Sequence, residues 1–512
     1  MASRVLGLAR DVLYAGLFGA GDVMDAFTVA FRIPNLLRDL FAEGAMSAAF
    51  VPAFTRALNN EGREAAWALG RRIISLLLVV TGVVSVLGIV FAEPLSRWYA
   101  GDYAAVPGKL ELTVYLTRIM FPFLVLVALA VACMGMLNAL RHFFIPALSP
   151  ALFNVGAIAA AIGIVPLMPS LGMHAATGLA FGTLLGGFLQ FIVQWPALRK
   201  EGFRFGFELA PRDSRVREVL LLMIPSTVGL AAVQINLFVN TLLATGEGTG
   251  AVAVLNYSFR LMYLPIGLFG VSVASASLPS LSADANRGDL PGMRRTLSAG
   301  MRLMLMLNVP ATIGLMALAT PIVALIFERG AFTPDDTAAT AAALLCYAPG
   351  LLGYSAVKLA SPAFYALRDA RTPVMVSILS MVVNVGLNLA LVGPFGYRGL
   401  AVGTALAAVF NAGALVILLR RKLGGLDERR VAGALARILA ASLVMGAAVL
   451  GIDAFVAPLV DVGGFTGKLL RVAIAIGGGV ITLGLSARLL HVAEFTDAVA
   501  LVRAKVLRRA RR

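Results

Sequence analysis

Between Gly21 and Phe54 an apolar run long enough to cross a bilayer carries Asp25, Arg32, Arg38, Asp39 and Glu43. At 100° per residue, Asp25, Thr28, Arg32, Asn35, Asp39 and Glu43 fall on one side of a helix, with Arg38 at the margin of that stripe. Each arginine at mid-bilayer costs roughly 2.5 to 3.5 kcal/mol on insertion scales, so such residues face a protein-lined or water-filled cavity and have partners there. Pro34 kinks the helix inside the stripe and frees backbone groups that must be satisfied within the protein. An amphipathic helix lying on the membrane surface is the plainer alternative. Other membrane-depth cations are Arg4, Arg10, Arg260 and Lys358, whereas the nearby acids are Asp11, Asp25, Asp39 and Glu43. An unpaired buried charge costs several kcal/mol, and a ligand with phosphate or carboxylate groups would supply the missing partners, phosphate matching the guanidinium fork.

That chemistry is anion binding, not bond making. No histidine and carboxylate cluster has ligand spacing, and no glycine loop is built to cradle phosphates. His142, His174 and His491 are scattered, and Cys133 and Cys346 lie inside apolar runs, where packing is their expected role. The reading is of a protein that is not an enzyme, with no catalytic residues, no cofactor and no metal.

The elements that position these residues are membrane helices. Of the 512 residues, 59% are hydrophobic and 14% charged, and the mean hydropathy is +0.88; soluble domains hold roughly 45 to 50% apolar residues. The apolar runs predict an all-α polytopic membrane protein with about 14 transmembrane helices. Their limits are near 2–19, 25–55, 70–92, 112–138, 146–168, 174–197, 217–244, 251–282, 299–327, 338–366, 373–393, 398–420, 432–457 and 465–490. Residues 1–20 read as a short first span, because Arg10 and Asp11 interrupt what would otherwise pass for a signal peptide. Alternate loops and the tail hold 27 Lys or Arg, against five in the opposite set: Arg97, Lys109, Arg329, Arg398 and Lys468. This asymmetry predicts that both termini are cytoplasmic, makes much of the +16 net charge topological, and removes the need for a nucleic-acid partner.

An internal repeat appears at an offset of 227 residues. Pro52, Pro122, Ala139-Leu140-Arg141 and Pro146 recur as Pro279, Pro349, Ala366-Leu367-Arg368 and Pro373. With small shifts, Phe31-Arg32 matches Phe259-Arg260, and Gly178-Leu179-Ala180 with Gly182-Thr183 matches Gly399-Leu400-Ala401 with Gly403-Thr404. Two six-helix lobes are expected, 1–200 and 201–425, followed by 426–512 with two helices outside the repeat and a basic tail.

Several stretches resemble a known family. Ser3-Arg4-Val5-Leu6-Gly7, Ala9-Arg10-Asp11, Phe18-Gly19-Ala20-Gly21, Asp25-Ala26-Phe27, Pro34-Asn35-Leu36-Leu37-Arg38 and Phe41-Ala42-Glu43-Gly44-Ala45 resemble the signature of the MurJ (MviN) lipid II flippases. Arg260-Leu261-Met262 with Pro265, Leu278-Pro279-Ser280, Lys358 and Thr372-Pro373-Val374 fit the same family. The resemblance implies two six-helix lobes in a V around a cationic cavity, within a superfamily that includes multidrug antiporters and polysaccharide flippases. Helices 13 and 14 would form a groove for a lipid tail. It also implies that lipid II, an undecaprenyl-diphosphate-linked peptidoglycan precursor, is moved across the bacterial inner membrane, with membrane lipids and the cell wall machinery as further partners. Arg10, Arg38 and Arg260 would hold the diphosphate, with Arg4, Asp11, Asp25, Asn35 and Glu43 as neighbours. An exporter of another polyprenyl-linked glycan, a multidrug antiporter and an intramembrane enzyme are the other readings, although a carrier of cationic drugs would want acids where these arginines stand. Two departures stand out. The chain begins closer to its SRVLG motif than family members usually do. Where some members carry sodium-binding carboxylates, this chain has Asn240, Asn384, Asn388 and Thr404, weak ion-site candidates whose hydrogen bonding between helices is an equal explanation.

Overall fold

In a computed structural model of the protein, residues 2–39, 44–460 and 464–496 are described. The first-half helices are α1 (Ala2–Phe18), α2 (Asp22–Arg38), α3 (Gly44–Asn60), α4 (Arg63–Val90), α5 (Ala92–Tyr99), α6 (Lys109–Met120), α7 (Phe123–Ala139), α8 (Phe144–Gly163), α9 (Thr177–Ile192), α10 (Trp195–Lys200) and α11 (Ser214–Thr245). Then come α12 (Ala251–Pro265), α13 (Val271–Asn286), α14 (Leu290–Ala317), α15 (Ala319–Phe327), α16 (Pro334–Tyr347), α17 (Gly350–Ala366), α18 (Arg371–Phe395), α19 (Tyr397–Leu423), α20 (Glu428–Val456) and α21 (Phe465–Leu489). Among the described residues ten helices are long and apolar enough to cross a membrane, or eleven if the pair α16 and α17, bent by 46°, is one span. The protein is therefore all-helical and multi-pass. α1, α2 and α3, at 17 residues each, are shorter than the roughly 20 residues that span a bilayer unaided.

The chain forms two compact units, one of residues 1–253 with 329–332, the other of 254–328 with 333–512. Helix α11 belongs by packing to the first, where Arg215 pairs with Glu61 at 2.9 Å and Arg56 pairs with Glu218. The first unit's core is an aromatic column in which Phe50, Phe54, Trp67, Phe203 and Trp195 follow one another at centroid separations of 5.3 to 6.1 Å. Its helices α8 and α9 meet along a glycine seam on α9. A Cβ at Gly178, Gly182 or Gly186 would lie 2.7 Å from the Val165 backbone, 2.9 Å from Ala160 and 2.6 Å from the Phe153 carbonyl. Small residues at spacing four let membrane helices approach until their backbones touch.

The second unit repeats several of these devices. Gly399 and Gly403 bring α19 against α18 as closely, their Cβ positions falling 2.1 Å from the Leu391 carbonyl and 2.2 Å from Asn388 Oδ1. Arg141 and Arg368, 227 residues apart, end α7 and α17 in the left-handed region at φ 65° and 58°. In each case the next residue's N–H bonds back to the carbonyl five residues earlier, His142 to Leu137 and Asp369 to Phe364, both at 2.9 Å, which closes the last turn. Pro122 and Pro349 stand at the matching breaks before α7 and α17.

Helices α20 and α21 pack on α14 and α15 through Ile438, Met445 and Val449 against Met306, Val309 and Leu318. Polar clips hold them: Arg471 to Asp453 by two bonds of 2.7 Å, Lys468 to Glu328 at 3.0 Å, and Arg302 to Glu494 at 2.7 Å. Arg302 and Arg471 are thus each paired with a carboxylate of the protein.

Candidate functional site

Among the described charged residues Asp25 is the most completely enclosed, with no exposed surface. Its Oδ2 accepts from Lys109 Nζ at 2.8 Å and Gly250 N at 2.7 Å, and its Oδ1 accepts from Ala253 N at 2.9 Å. The stretch Gly246-Glu247-Gly248-Thr249-Gly250 gives α12 a glycine immediately before its first residue, so its first N–H groups take a cap from α2 instead. A carboxylate at a helix N-terminus also meets the positive end of the helix dipole. Gly250 is required there, because at φ +81° its Cβ would lie 2.1 Å from the Ala20 carbonyl. Lys109 in turn sits 2.6 Å from Asp22 Oδ1 and 4.0 Å over the Tyr103 ring. The sequence alone suggests a loop charge at Lys109. In the structure it is 4% exposed and is the counter-ion of Asp25. The missing cap on α12 was the available signal for an outside acceptor, but nothing in the sequence names its cation.

Two arginines of the first unit share one arrangement. On α1, Arg10 donates through Nε (3.1 Å) and Nη2 (2.8 Å) to Asp11 Oδ1, with its guanidinium 5.7 Å from the Tyr14 and Phe153 rings. At the end of α2, Arg38 donates through Nε (3.0 Å) and Nη2 (2.5 Å) to Asp39 Oδ1, and Asn35 Nδ2 donates to Asp39 Oδ2 at 3.2 Å. Each guanidinium is held by the carboxylate of the next residue and keeps some accessible surface, 15% and 21% of the side chain. Arg32, half-buried on α2, has a buried Nε with no hydrogen-bond acceptor among the described residues. Arg4 is exposed near the start of α1, whose neighbour Ser3 is tied to α8 by Asn154 Nδ2, 3.2 Å from the Ser3 carbonyl.

The remaining candidates lie elsewhere. Arg260 is half-buried on α12 and Lys358 exposed on α17, both in the second unit. Glu43 lies outside the described residues. Asn240 is on α11 in the first unit, whereas Asn384, Asn388 and Thr404 form a buried chain in the second. Asn388 Nδ2 donates to Asn384 Oδ1 at 3.1 Å, Asn384 Nδ2 to Thr404 Oγ1 at 3.4 Å, and Thr404 Oγ1 to the Leu400 carbonyl at 2.8 Å. These three amide and hydroxyl groups hold α18 to α19. No group of three or more His, Cys, Asp or Glu able to hold a metal occurs among the described residues. What the first unit offers chemically is a set of partly accessible guanidinium groups, which fits an anionic ligand.

A family model described as "Lipid II flippase MurJ" matches residues 14–470. The chain belongs to the MurJ family. It is 38% identical over 426 residues to the "Lipid II flippase MurJ" of Burkholderia cenocepacia, covering 82% of each chain. It is 37% identical over 467 residues to the "Probable lipid II flippase MurJ" of Haemophilus influenzae, covering 88% of this chain and 90% of the relative. Among solved structures, "Lipid II flippase MurJ, inward closed conformation" superposes with a TM-score of 0.78 at 25% identity, over 95% of this chain and 97% of that one. An inward-facing multidrug resistance MATE family transporter of the MOP superfamily matches at a TM-score of 0.70 and 16% identity, over 83% and 96% of the two chains, a likeness of fold.

Proposed function

We propose that this MurJ family member is a flippase that moves lipid II from the inner to the outer leaflet of the bacterial cytoplasmic membrane by alternating access. It is a transporter and not an enzyme. The observation that carries the reading is the arrangement of Arg10 and Arg38, each held by its neighbouring aspartate with part of its surface accessible, in a chain 38% identical to a curated lipid II flippase. Arg10, Arg38 and Arg260 hold the diphosphate; Arg4, Asp11, Asp25, Arg32, Asn35, Glu43 and Lys358 shape and balance the charge around it. Charge-assisted bonds from planar guanidinium groups suit phosphate oxygens, and a single positive charge would be a weaker clamp.

The finer organisation belongs to the same reading. The chain crosses the membrane fourteen times with both termini cytoplasmic. α1, the α2 and α3 pair, and α11 supply crossings beyond the strongly apolar ones. Residues 1–200 and 201–425 form two repeated lobes, for which the matching left-handed Arg141 and Arg368 speak, as do the matching glycine seams. α20 and α21 line the path of the polyprenyl tail along the exposed faces of Leu443, Leu450 and Val480, and membrane lipids and the cell wall machinery are further partners.

The test is depletion of the protein with quantification, by mass spectrometry, of the lipid-linked precursor left accessible on the inner leaflet. Accumulation of lipid II is expected. Accumulation of a different polyprenyl-linked glycan with lipid II unchanged would overturn the substrate.

A further inference from the structure

In the second unit four aromatic rings interlock beside Arg260. Phe259 of α12 lies 5.8 Å from the Tyr263 ring and 26° from parallel with it, and meets Tyr347 of α16 at 5.5 Å and Tyr354 of α17 at 5.9 Å, both edge to face. Tyr263 and Tyr354 meet edge to face at 6.5 Å. Ser258 fixes the platform, its hydroxyl lying 2.7 Å from the Val254 carbonyl and 2.9 Å from that of Thr340 on α16. Tyr263 and Tyr354 are half-buried, and among the described residues neither hydroxyl has a hydrogen-bond partner, although both keep accessible surface. An enclosed phenol finds a partner, so for these two it comes from outside the chain, as water or as a ligand that displaces water.

The rings stand on a polar face. At 100° per residue, Asn256, Arg260 and Tyr263 fall within about 60° of one another on α12, and Lys358 stands one turn from Tyr354 on α17. Asn256 and Lys358 are exposed and Arg260 is half-buried. All lie within segments long and apolar enough to cross a membrane, Ala251–Asn286 and the bent pair of α16 and α17. A charged face on such a segment turns to protein or water rather than to hydrocarbon. The turn that follows α12, Ile266–Gly270, is π-helical, a widening that recurs at functional sites. The sequence repeat sets Asn35 and Val127 of the first unit against Tyr263 and Tyr354, so the fold has no general need of phenols there.

We propose that Tyr263 and Tyr354 form a subsite for the glycan of the substrate, with Tyr263 taking the pyranose ring next to the diphosphate. This rests on the lipid II reading above and adds the residues that read its sugars. A pyranose carries a face of C–H groups, which suits the negative face of an aromatic ring, and a rim of hydroxyls, which suits phenol and amide groups. A hydrocarbon chain would leave the phenols unpaired, and a bare phosphate would make no use of the rings. The register agrees. On the proposed function Arg260 holds the diphosphate, and Tyr263, three residues on, stands about 4.5 Å further along the helix, which is about the width of one sugar ring.

The hydroxyls make no bond to the described residues, so Tyr263→Phe and Tyr354→Phe should melt with wild type, which separates folding from binding. Full-length protein is titrated with three probes and read by native mass spectrometry: a polyprenyl diphosphate, the same lipid bearing the disaccharide, and lipid II with its peptide. The double variant Tyr263→Phe with Tyr354→Phe is expected to bind both disaccharide probes about tenfold more weakly and the bare diphosphate as wild type does. Unchanged binding of the disaccharide probes, or equal weakening of all three, overturns the proposal. Weakening of lipid II alone assigns the phenols to the peptide and overturns it too. Wild-type protein that holds the bare diphosphate as tightly as lipid II overturns the subsite and leaves the flippase reading intact, whereas failure to bind any of the three counts against that reading, and the subsite falls with it.

Discussion

Replacing Lys109 with methionine removes the cation from beneath a carboxylate that has no exposed surface. Asp25 would keep its two backbone donors, Gly250 and Ala253, but lose the Lys109 side-chain donor at 2.8 Å. Breaking a buried pair by deleting one partner costs about 3 to 5 kcal/mol, because the remaining charge is left uncompensated. The contact of Lys109 with the Tyr103 ring adds about 0.5 to 2 kcal/mol to the loss. Asp25→Asn in the same background removes the stranded charge while leaving an amide oxygen to accept from the helix N-terminus. The pair should therefore couple strongly: Lys109→Met alone melts well below wild type, and Lys109→Met with Asp25→Asn recovers at least about 2 kcal/mol of the difference. Thermal unfolding of detergent-purified protein, followed by size-exclusion chromatography of the surviving fraction, reads all four corners of the cycle. A Lys109→Met protein that melts with wild type, or a double variant that is simply the sum of the singles, would refute the reasoning.

Arg38→Ala and Arg260→Ala should each abolish complementation of a depleted strain while inserting normally, since each removes a charge-assisted bond worth about 1.5 to 3 kcal/mol, and lysine at either position should rescue poorly; full complementation by inserted alanine variants would count against both roles. Outward movement of a diphosphate is favoured by an inside-negative potential, by roughly 2.3 kcal/mol per charge per 100 mV, so reconstituted flipping should follow a potassium and valinomycin potential with the sodium gradient held at zero. Flipping that tracks sodium and ignores voltage would sink that account. In the loop before α18, Asp369 accepts from Lys422 at 2.6 Å and from the Thr372 hydroxyl at 2.7 Å, which hold its carboxyl well below the usual value of 3.8. Its stabilising contribution is thus present above that value and lost as pH falls towards the lowered one; Asp369→Asn should melt lower than wild type at neutral pH, with the gap closing in strong acid.

Much of the fold is legible in the sequence because membrane helices advertise themselves through long apolar runs. The paired Arg141 and Arg368 were likewise visible as a recurring Ala-Leu-Arg before their shared left-handed turn was known. Along the polar stripe of α2 the structure encloses Asp25 and Thr28 and engages Asp39 with two neighbours, whereas Arg32 and Asn35 are half-buried and Glu43 lies outside the described residues. What the sequence withholds is which charges meet across helices. Lys109 looks like a loop lysine because it stands at the start of a span, and only the fold shows Asp22 and Asp25 of α2 converging on it. Arg471 finds Asp453 18 residues away on the adjacent helix, a pairing that no local spacing predicts. Conversely, Asn384, Asn388 and Thr404 share the spacing of an ion site but bond to one another, which composition cannot distinguish from coordination.

Arg10 and Arg38 each carry a carboxylate one residue away, and this bears on how the substrate lets go. A competitor tethered at that distance acts at a local concentration far above that of any free anion, of the millimolar order or higher. On the proposed function, a departing phosphate is displaced by the aspartate it had supplanted, so the guanidinium exchanges one acceptor for another and is never stripped bare. Affinity is given up in return for turnover. The unloaded transporter, with Arg10 and Arg38 already neutralised by Asp11 and Asp39, then resets without dragging those two charges bare through the hydrocarbon.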